Sequence, residues 1–416
     1  MTSESSCRIC GEAVAEFLDF GIQPLSDAFR EPSDPAEEFT YRLAVGRCAG
    51  CGMVQLVNEV PREAMFHDDY PYVSRGSAVM REHFGALARR FLETELAGED
   101  PFIVELGSND GTMLATVAAA GVRHLGVEPS GDVADLSAAE GVRVRKDFFE
   151  ESTALQIAES DGLADVIYAA NTLCHIPYMD SILAGVRALL KPHGVFVFED
   201  PYLGDIVERT SFDQIYDEHF FLFSARSVDE MARRHGLELV DVEHLEVHGG
   251  ELRYTLALPG ARQRSEAVGR WLSTEDSARL GEQDVLEEFA ARVHAVRDDL
   301  VSLLSRLRDE GSRVVGYGAT AKSATVTNFC GIGPELVEFV CDTTPAKQGR
   351  LTPGSHIPVR PPEAFRGGDG GAGGNGYPPY ALLFAWNHAE EIMAKEQAFR
   401  EAGGRWILYV PTVRVV

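Results

Sequence analysis

The sequence predicts an α/β chain in three parts: a small metal-stapled amino-terminal module, a central Rossmann-like doubly wound sheet, and a smaller Rossmann-like sheet at the carboxyl end. Three observations predict it. Two Cys-x-x-Cys pairs lie near the amino terminus, at Cys7/Cys10 and Cys48/Cys51. An apolar run, Phe102 to Leu106, passes through a glycine-bearing turn into a helix onset at Thr112. A second unit of that kind opens at Arg313, in RVVGYGATAK. The expected boundaries are 1–65, 66–255 and 256–416.

Length and composition bound the function. At 416 residues the chain can bury two or three cores, and 45% hydrophobic with 25% charged residues is ordinary for a globular protein. A formal net charge of -27 argues against nucleic-acid or anionic-membrane partners, which need a basic surface, but leaves room for a small anionic ligand. No segment has the apolar length of a bilayer span, and the start MTSESSCRICG lacks the regions of a secretory signal. A cytoplasmic address and a monomer are the expectations.

In the first module, CRICG and CAGCG each read as a knuckle-like turn whose glycine lets backbone amides face the sulfurs. Four thiolates from two such turns close a tetrahedral zinc site. The alternatives are disulfides or free thiols, and a reducing cytosol disfavours the first. With all four positions filled by Cys7, Cys10, Cys48 and Cys51, the zinc is expected to be structural.

In the middle, PFIVELGSNDGTML has the spacing Glu105-x-Gly107-x-x-x-Gly111, unlike the GxGxxG turn that admits a pyrophosphate. HLGVEPS puts Glu128 at the end of a second strand, where an acid suits two ribose hydroxyls. RKDFF then offers Asp147 and Phe148 for an adenine amine and face, and DVIYAANTLCHIP runs a strand into Asn171 and His175. An NAD-binding sheet is the competing reading, since an acid after the second strand also serves NAD. This order resembles class I S-adenosylmethionine (SAM)-dependent methyltransferases. That likeness implies SAM as cofactor, held by Glu105, Gly107, Asn109, Gly111, Glu128, Asp147, Phe148 and Asn171.

The stretch SFDQIYDEHFFLFS sets Tyr216, Asp217, Glu218 and His219 at the mouth of an apolar run. Taken alone, it reads as a solvated strand entrance; in an extended chain Tyr216 and Glu218 share a face while His219 points away, so a turn or helix is needed to converge them. His244 and His248 read as ordinary surface or core histidines, and Gly249-Gly250 as a close approach of backbone to ligand.

The two CxxC pairs, DYPYVS, ELGSNDG, NTLCHIP, YDEHFFLFS, HGGELR and GYGATAKSATVTNF, in that order over nearly the whole chain, resemble the nucleotide-linked deoxysugar C-methyltransferases of antibiotic-sugar pathways, the D-tetronitrose type among them. The resemblance implies methylation of a TDP-4-keto-deoxyhexose at C-3 through an enolate, with C-5 methylation as the alternative on the same substrate; a bifunctional or NAD-linked sugar oxidoreductase using the carboxyl-terminal sheet is the alternative from another class. It also implies His219 as base with Glu218 orienting it or replacing it, Tyr216 and His175 as donors near the keto oxygen, and Tyr70 closing the site.

Residues from about 261 to 310 read as helices with one apolar face. Beyond them, strands are expected to end at Asp342 and Trp386. By analogy with the family this half takes the sugar nucleotide, with Tyr72, Lys322, Asn328, Trp386 and His388 as contacts. NAD binding and a ligand-free duplicated sheet are the rival readings. RGGDGGAGGNGYPPY cannot bury a core and is expected to be a mobile loop.

Overall fold

The computed structural model describes residues 5–65, 76–367 and 376–416. Tyr70, Tyr72, the whole of DYPYVS and the centre of the glycine-rich segment lie outside them.

The amino-terminal module is an antiparallel ribbon of β1 (Val14–Pro24), β2 (Thr40–Cys48) and β3 (Val54–Leu56). One CxxC turn precedes β1 and the other joins β2 to β3, so pairing of the strands brings the four cysteines together. A short helix, Arg62–Met65, ends the module.

The middle sheet begins with five parallel strands: β4 (Phe102–Leu106), β5 (Arg123–Val127), β6 (Val144–Arg145), β7 (Ala164–Ala170) and β8 (Leu190–Pro201). Their central members are near-continuous apolar runs because both faces are covered. Ile103, Val166 and Val197 pack under the helices Ala78–Glu93 and Thr112–Ala119, while Val104, Ile167 and Phe198 join the core beneath Glu151–Asp161 and Met179–Leu189. The chain then leaves the sheet. β9 (Phe221–Leu222) pairs with β3 of the zinc module, so the acid–base stretch just before it is drawn into the space between modules. β10 (Glu238–Leu245) and β11 (Glu251–Ala257) return antiparallel, giving the order β10-β11-β8-β7-β4-β5-β6.

After the helices Glu266–Ala278 and Gln283–Asp309 comes the third sheet. Its strands are β12 (Val314–Tyr317), β13 (Val340–Cys341), β14 (Val359–Arg360), β15 (Tyr380–Leu383), β16 (Arg405–Leu408) and β17 (Arg414–Val415). The order is β14-β13-β12-β15-β16-β17, all parallel but β17. Each large sheet reverses its strand order beside its first strand, where open α/β sheets receive ligands at the strands' carboxyl ends.

All three parts touch the segment 211–219. The Ser26 amide of the zinc module donates to Asp217 Oδ1 at 3.0 Å. Thr325 of the third part donates to the Ile215 carbonyl at 2.9 Å, and Trp386 and Tyr409 donate to Asp213 Oδ2 at 2.6 and 2.7 Å. His175 of the middle sheet stacks on His219 with ring centroids 5.3 Å apart.

Candidate active site

The acid–base stretch is a turn, and it is buried. Phe212–Gln214 make a 3-10 turn, and the His219 amide donates to the Tyr216 carbonyl at 3.0 Å. This reversal puts Tyr216 and His219 on one side, which an extended strand could not do. The solvated strand entrance is thereby corrected: Tyr216 through His219 are all buried.

Two hydrogen bonds fix the imidazole. His219 Nδ1 lies 2.7 Å from the Gln214 carbonyl oxygen, and Nε2 lies 2.7 Å from the Tyr216 hydroxyl. A carbonyl only accepts, so Nδ1 carries the proton and Nε2 accepts from the phenol. The orienting partner is thus the backbone of Gln214, not Glu218. Burial, reinforced by His175 and Lys322, holds His219 well below the usual imidazole range. Burial and then the Glu218 charge push the Tyr216 phenol well above its ordinary value. Both are therefore neutral near pH 7. Burial also lowers His175 to about 4 and raises Asp217 to about 7.

These groups open on a cavity of about 730 Å³ that runs from the carboxyl ends of β4 and β5 to those of β12 and β13. At one end lie Gly107, Asn109, Glu128, Phe148 and Asn171; in the middle are His175, Tyr216, Glu218 and His219; at the far end are Gly318, Lys322, Asp342 and His388. Gly107 has φ +62°, and a Cβ there would overlap the Thr172 hydroxyl. Glu128 is aimed by two loops, accepting from the amides of Asn109 in the glycine turn at 2.9 Å and of Ser130 in its own loop at 2.8 Å. Lys322 sits with Nζ 5.5 Å from the Trp386 ring centroid, and burial lowers its pKa while Asp213 and Glu251 oppose that.

Five sequence-based site residues stand off the cavity wall. Glu105 is buried beneath the glycine turn, its pKa raised well above the carboxylate range by burial and then by Asp110. Gly111 is the cap of the helix Thr112–Ala119, against Ser137. Asp147 turns outward to an ion pair with Arg145 at 2.9 Å, leaving the wall to Phe148 and Phe149. Asn328 ties its helix to the Pro353 carbonyl at 3.1 Å. Trp386 is a step behind the wall, holding Lys322 and Asp213. Two further readings need correction. His248, read as an ordinary surface or core histidine, lines the cavity, and burial lowers it to about 3. Gly249 and Gly250 admit Trp386 and the Asp205 side chain, not a ligand.

Other wall residues gave no sequence signal of their role. Asp27, from the PLSDAF loop of the zinc module, lines the cavity and pairs with Lys347 at 3.2 Å. Arg62 and Tyr178 also line it. A spacing rule could not find these, because they reach the site only through the docking of modules.

The thiols fit zinc. All four Sγ atoms lie within 4.8 Å of one another, and the nearest pairs, Cys7–Cys51 and Cys10–Cys48, are 3.5 and 3.3 Å apart. Those are the spacings of ligands around an ion, far beyond a disulfide bond. Amides of Ile9, Gly50 and Cys51 point at Cys7 and Cys48 sulfurs, so the knuckle geometry is present.

Compared with known proteins, the chain is 34% identical over 414 residues to the C-methyltransferase NovU of Streptomyces niveus, covering 99% of this chain and 96% of that one. This chain belongs to the C-methyltransferase family. The methyltransferase also matches family models for a zinc binding domain over residues 7–66, a methyltransferase domain over 80–242 and a C-methyltransferase C-terminal domain over 246–411. A dimethylglycine N-methyltransferase of Parasynechococcus marenigrum is 37% identical over 62 residues, 15% of this chain and 22% of its own. A solved SAM-dependent methyltransferase of Anabaena variabilis aligns with 42% of this chain and 84% of its own, at 16% identity and a TM-score of 0.34. The enzyme is thus a SAM-dependent C-methyltransferase with a zinc-binding amino-terminal domain. Among the described residues no helix is long and apolar enough to cross a membrane.

Proposed function

We propose that the enzyme methylates a carbon flanking the 4-keto group of a TDP-4-keto-deoxyhexose, C-3 or C-5, in the making of an antibiotic sugar. One observation carries this reading: a buried Tyr216–His219 pair with a fixed tautomer, facing a cavity that reaches both sheets. Gly107, Glu128 and Phe148 would hold SAM, which would supply an electrophilic methyl on a positively charged sulfur.

The chain's own residues have to make a carbon nucleophilic. A C–H beside a ketone is a weak acid, so a base must reach it while a donor meets the oxygen on which charge develops. Both follow if the Tyr216 side chain shifts on substrate binding. Carrying the phenol oxygen from His219 Nε2 to the ketone oxygen makes the phenol the oxyanion donor and clears the Nε2 lone pair to take the carbon's proton. His175 stands beside the pair as a second neutral donor. Burial makes the imidazole a weak base, and a pyrophosphate arriving near Lys322 raises it again by adding negative charge. Gly318, Lys322, Lys347 and His388 offer the far end of the cavity to that pyrophosphate, with Lys322 and the helix start after Thr320 as the donors. Asp27 lines the cavity beside Lys347 and is suited to a sugar hydroxyl or amine.

The test is a panel of nucleotide-linked 4-ketohexoses incubated with SAM, with the new methyl located by NMR. A methyl on C-3 or C-5 is the expected product. A methyl on oxygen or nitrogen, or no turnover with any member of the panel, would sink the reading.

A further inference from the structure

We propose that Arg62 couples the zinc module to the methyl-donor pocket, so that the folded zinc module is part of what binds SAM. The side chain leaves the short helix Arg62–Met65, anchored by the buried Val60 and Met65. Its guanidinium carbon lies 4.4 Å from the Phe148 ring centroid and 4.7 Å from that of Tyr178. Nη1 meets Glu150 Oε1 at 2.7 Å. All three partners belong to the middle sheet's own loops: Phe148 and Glu150 follow β6, and Tyr178 precedes the helix Met179–Leu189. Arg62, Phe148 and Tyr178 all line the donor end of the cavity.

An ordinary surface ion pair would carry little coupling, since water screens it. This contact is different in kind. A planar cation on two rings gains from both faces and restrains the rings it touches. Phe148 follows Asp147, which turns outward, so the pocket relies on that ring for an apolar wall. With the guanidinium over it, Phe148 has its orientation set by a residue of another module. Lysine cannot replace this function, because a point charge keeps the pairing to Glu150 but loses the planar stacking. Coupling between two binding sites is reciprocal: if zinc-held structure strengthens donor binding, the bound donor strengthens zinc retention by the same factor.

The inference rests on the donor-pocket assignment above, and the experiment separates the two. S-adenosylhomocysteine affinity is measured by calorimetry on full-length, zinc-loaded wild type, Arg62→Ala, Arg62→Lys and Glu128→Ala, with zinc content and melting temperature recorded for each. Arg62→Ala is expected to weaken binding about tenfold at unchanged zinc content, and Arg62→Lys to recover only part of it. KM for SAM rises in Arg62→Ala while KM for the sugar nucleotide stays put, a split that general loosening would not produce. Saturating S-adenosylhomocysteine should make wild type hold zinc about tenfold better against a chelator, and should do nothing for Arg62→Ala. Wild-type affinity in Arg62→Ala, or donor protection of zinc that survives the substitution, overturns the coupling. Wild-type affinity in Glu128→Ala overturns the pocket assignment itself.

Discussion

His219 has its tautomer chosen by a backbone carbonyl, and that one bond decides which nitrogen can accept a proton. Because burial keeps the imidazole well below its usual range, the neutral form persists where an exposed histidine would already be half charged. Nitrogen NMR on histidine-labelled enzyme should show His219 in one neutral tautomer from about pH 8 down to about 6; protonation of both nitrogens at 6.5 would contradict this. At the far end of the cavity, Lys322→Met keeps the packing on Trp386 and removes the charge. It should raise KM for the sugar nucleotide by about ten- to a hundredfold, the worth of a charge-assisted bond, with S-adenosylhomocysteine affinity unchanged. Most of the candidate residues that the motifs offered do line the site: Gly107, Glu128, Phe148, Asn171, His175, Tyr216, Glu218 and His219 all reach the cavity. The partner of Nδ1 was not, because a carbonyl five residues back leaves no side-chain signature. Glu105 and Asp147 misled for the opposite reason. Acids at expected strand positions look alike in sequence, and only packing decides whether they face ligand, core or water.

The elements themselves were the most legible part. Apolar runs covered on both faces, glycine turns and helix onsets predicted the strands that became β4, β5, β7, β12, β13 and β15, the last of which stops at Leu383 and leaves Trp386 to a 3-10 turn. What periodicity could not give was the turn at Tyr216–His219 or the crossing of β9 to the zinc module, since both depend on pairing with distant chain. The turn has a stability signature. Asp217 is raised from 3.8 to about 7, so the folded state holds its proton more tightly than the unfolded chain does. Its favourable contribution is full below the unfolded value and is lost as pH climbs toward 7. Asp217→Asn keeps an oxygen for the Ser26 amide and carries no charge. The variant should gain in melting temperature over wild type as pH rises from 5 to about 7, then hold a constant lead; an advantage that shrinks over that interval would refute the assignment. The glycine turn offers a second check. Gly107→Ala forces a Cβ onto the Thr172 hydroxyl at a positive φ and should cost about 1 to 3 kcal/mol of donor binding, read as S-adenosylhomocysteine affinity by calorimetry. Unchanged affinity would mean the donor lies elsewhere.

At the scale of the whole molecule, the buried turn is held by three modules, each contributing a hydrogen bond or a stacked ring to residues 211–219. The zinc module is therefore more than a solubilising cap: Asp27 and Arg62 bring it to both ends of the cavity. Neither placement was visible in the sequence, where the CxxC pairs announce a metal but not what the folded ribbon leans on. The central claim is that Tyr216 and His219 together take a proton from carbon and hold the resulting enolate. Proton exchange with solvent isolates that step from methyl transfer. A TDP-4-keto-deoxyhexose is incubated in deuterium oxide with enzyme and S-adenosylhomocysteine, and label at the carbons beside the ketone is followed by NMR. Wild type should exchange one of those positions. His219→Gln should slow it by about a hundredfold or more, and Tyr216→Phe comparably, while both still bind S-adenosylhomocysteine as wild type does. Exchange at the wild-type rate in His219→Gln, with Glu218→Gln silent instead, would contradict the account.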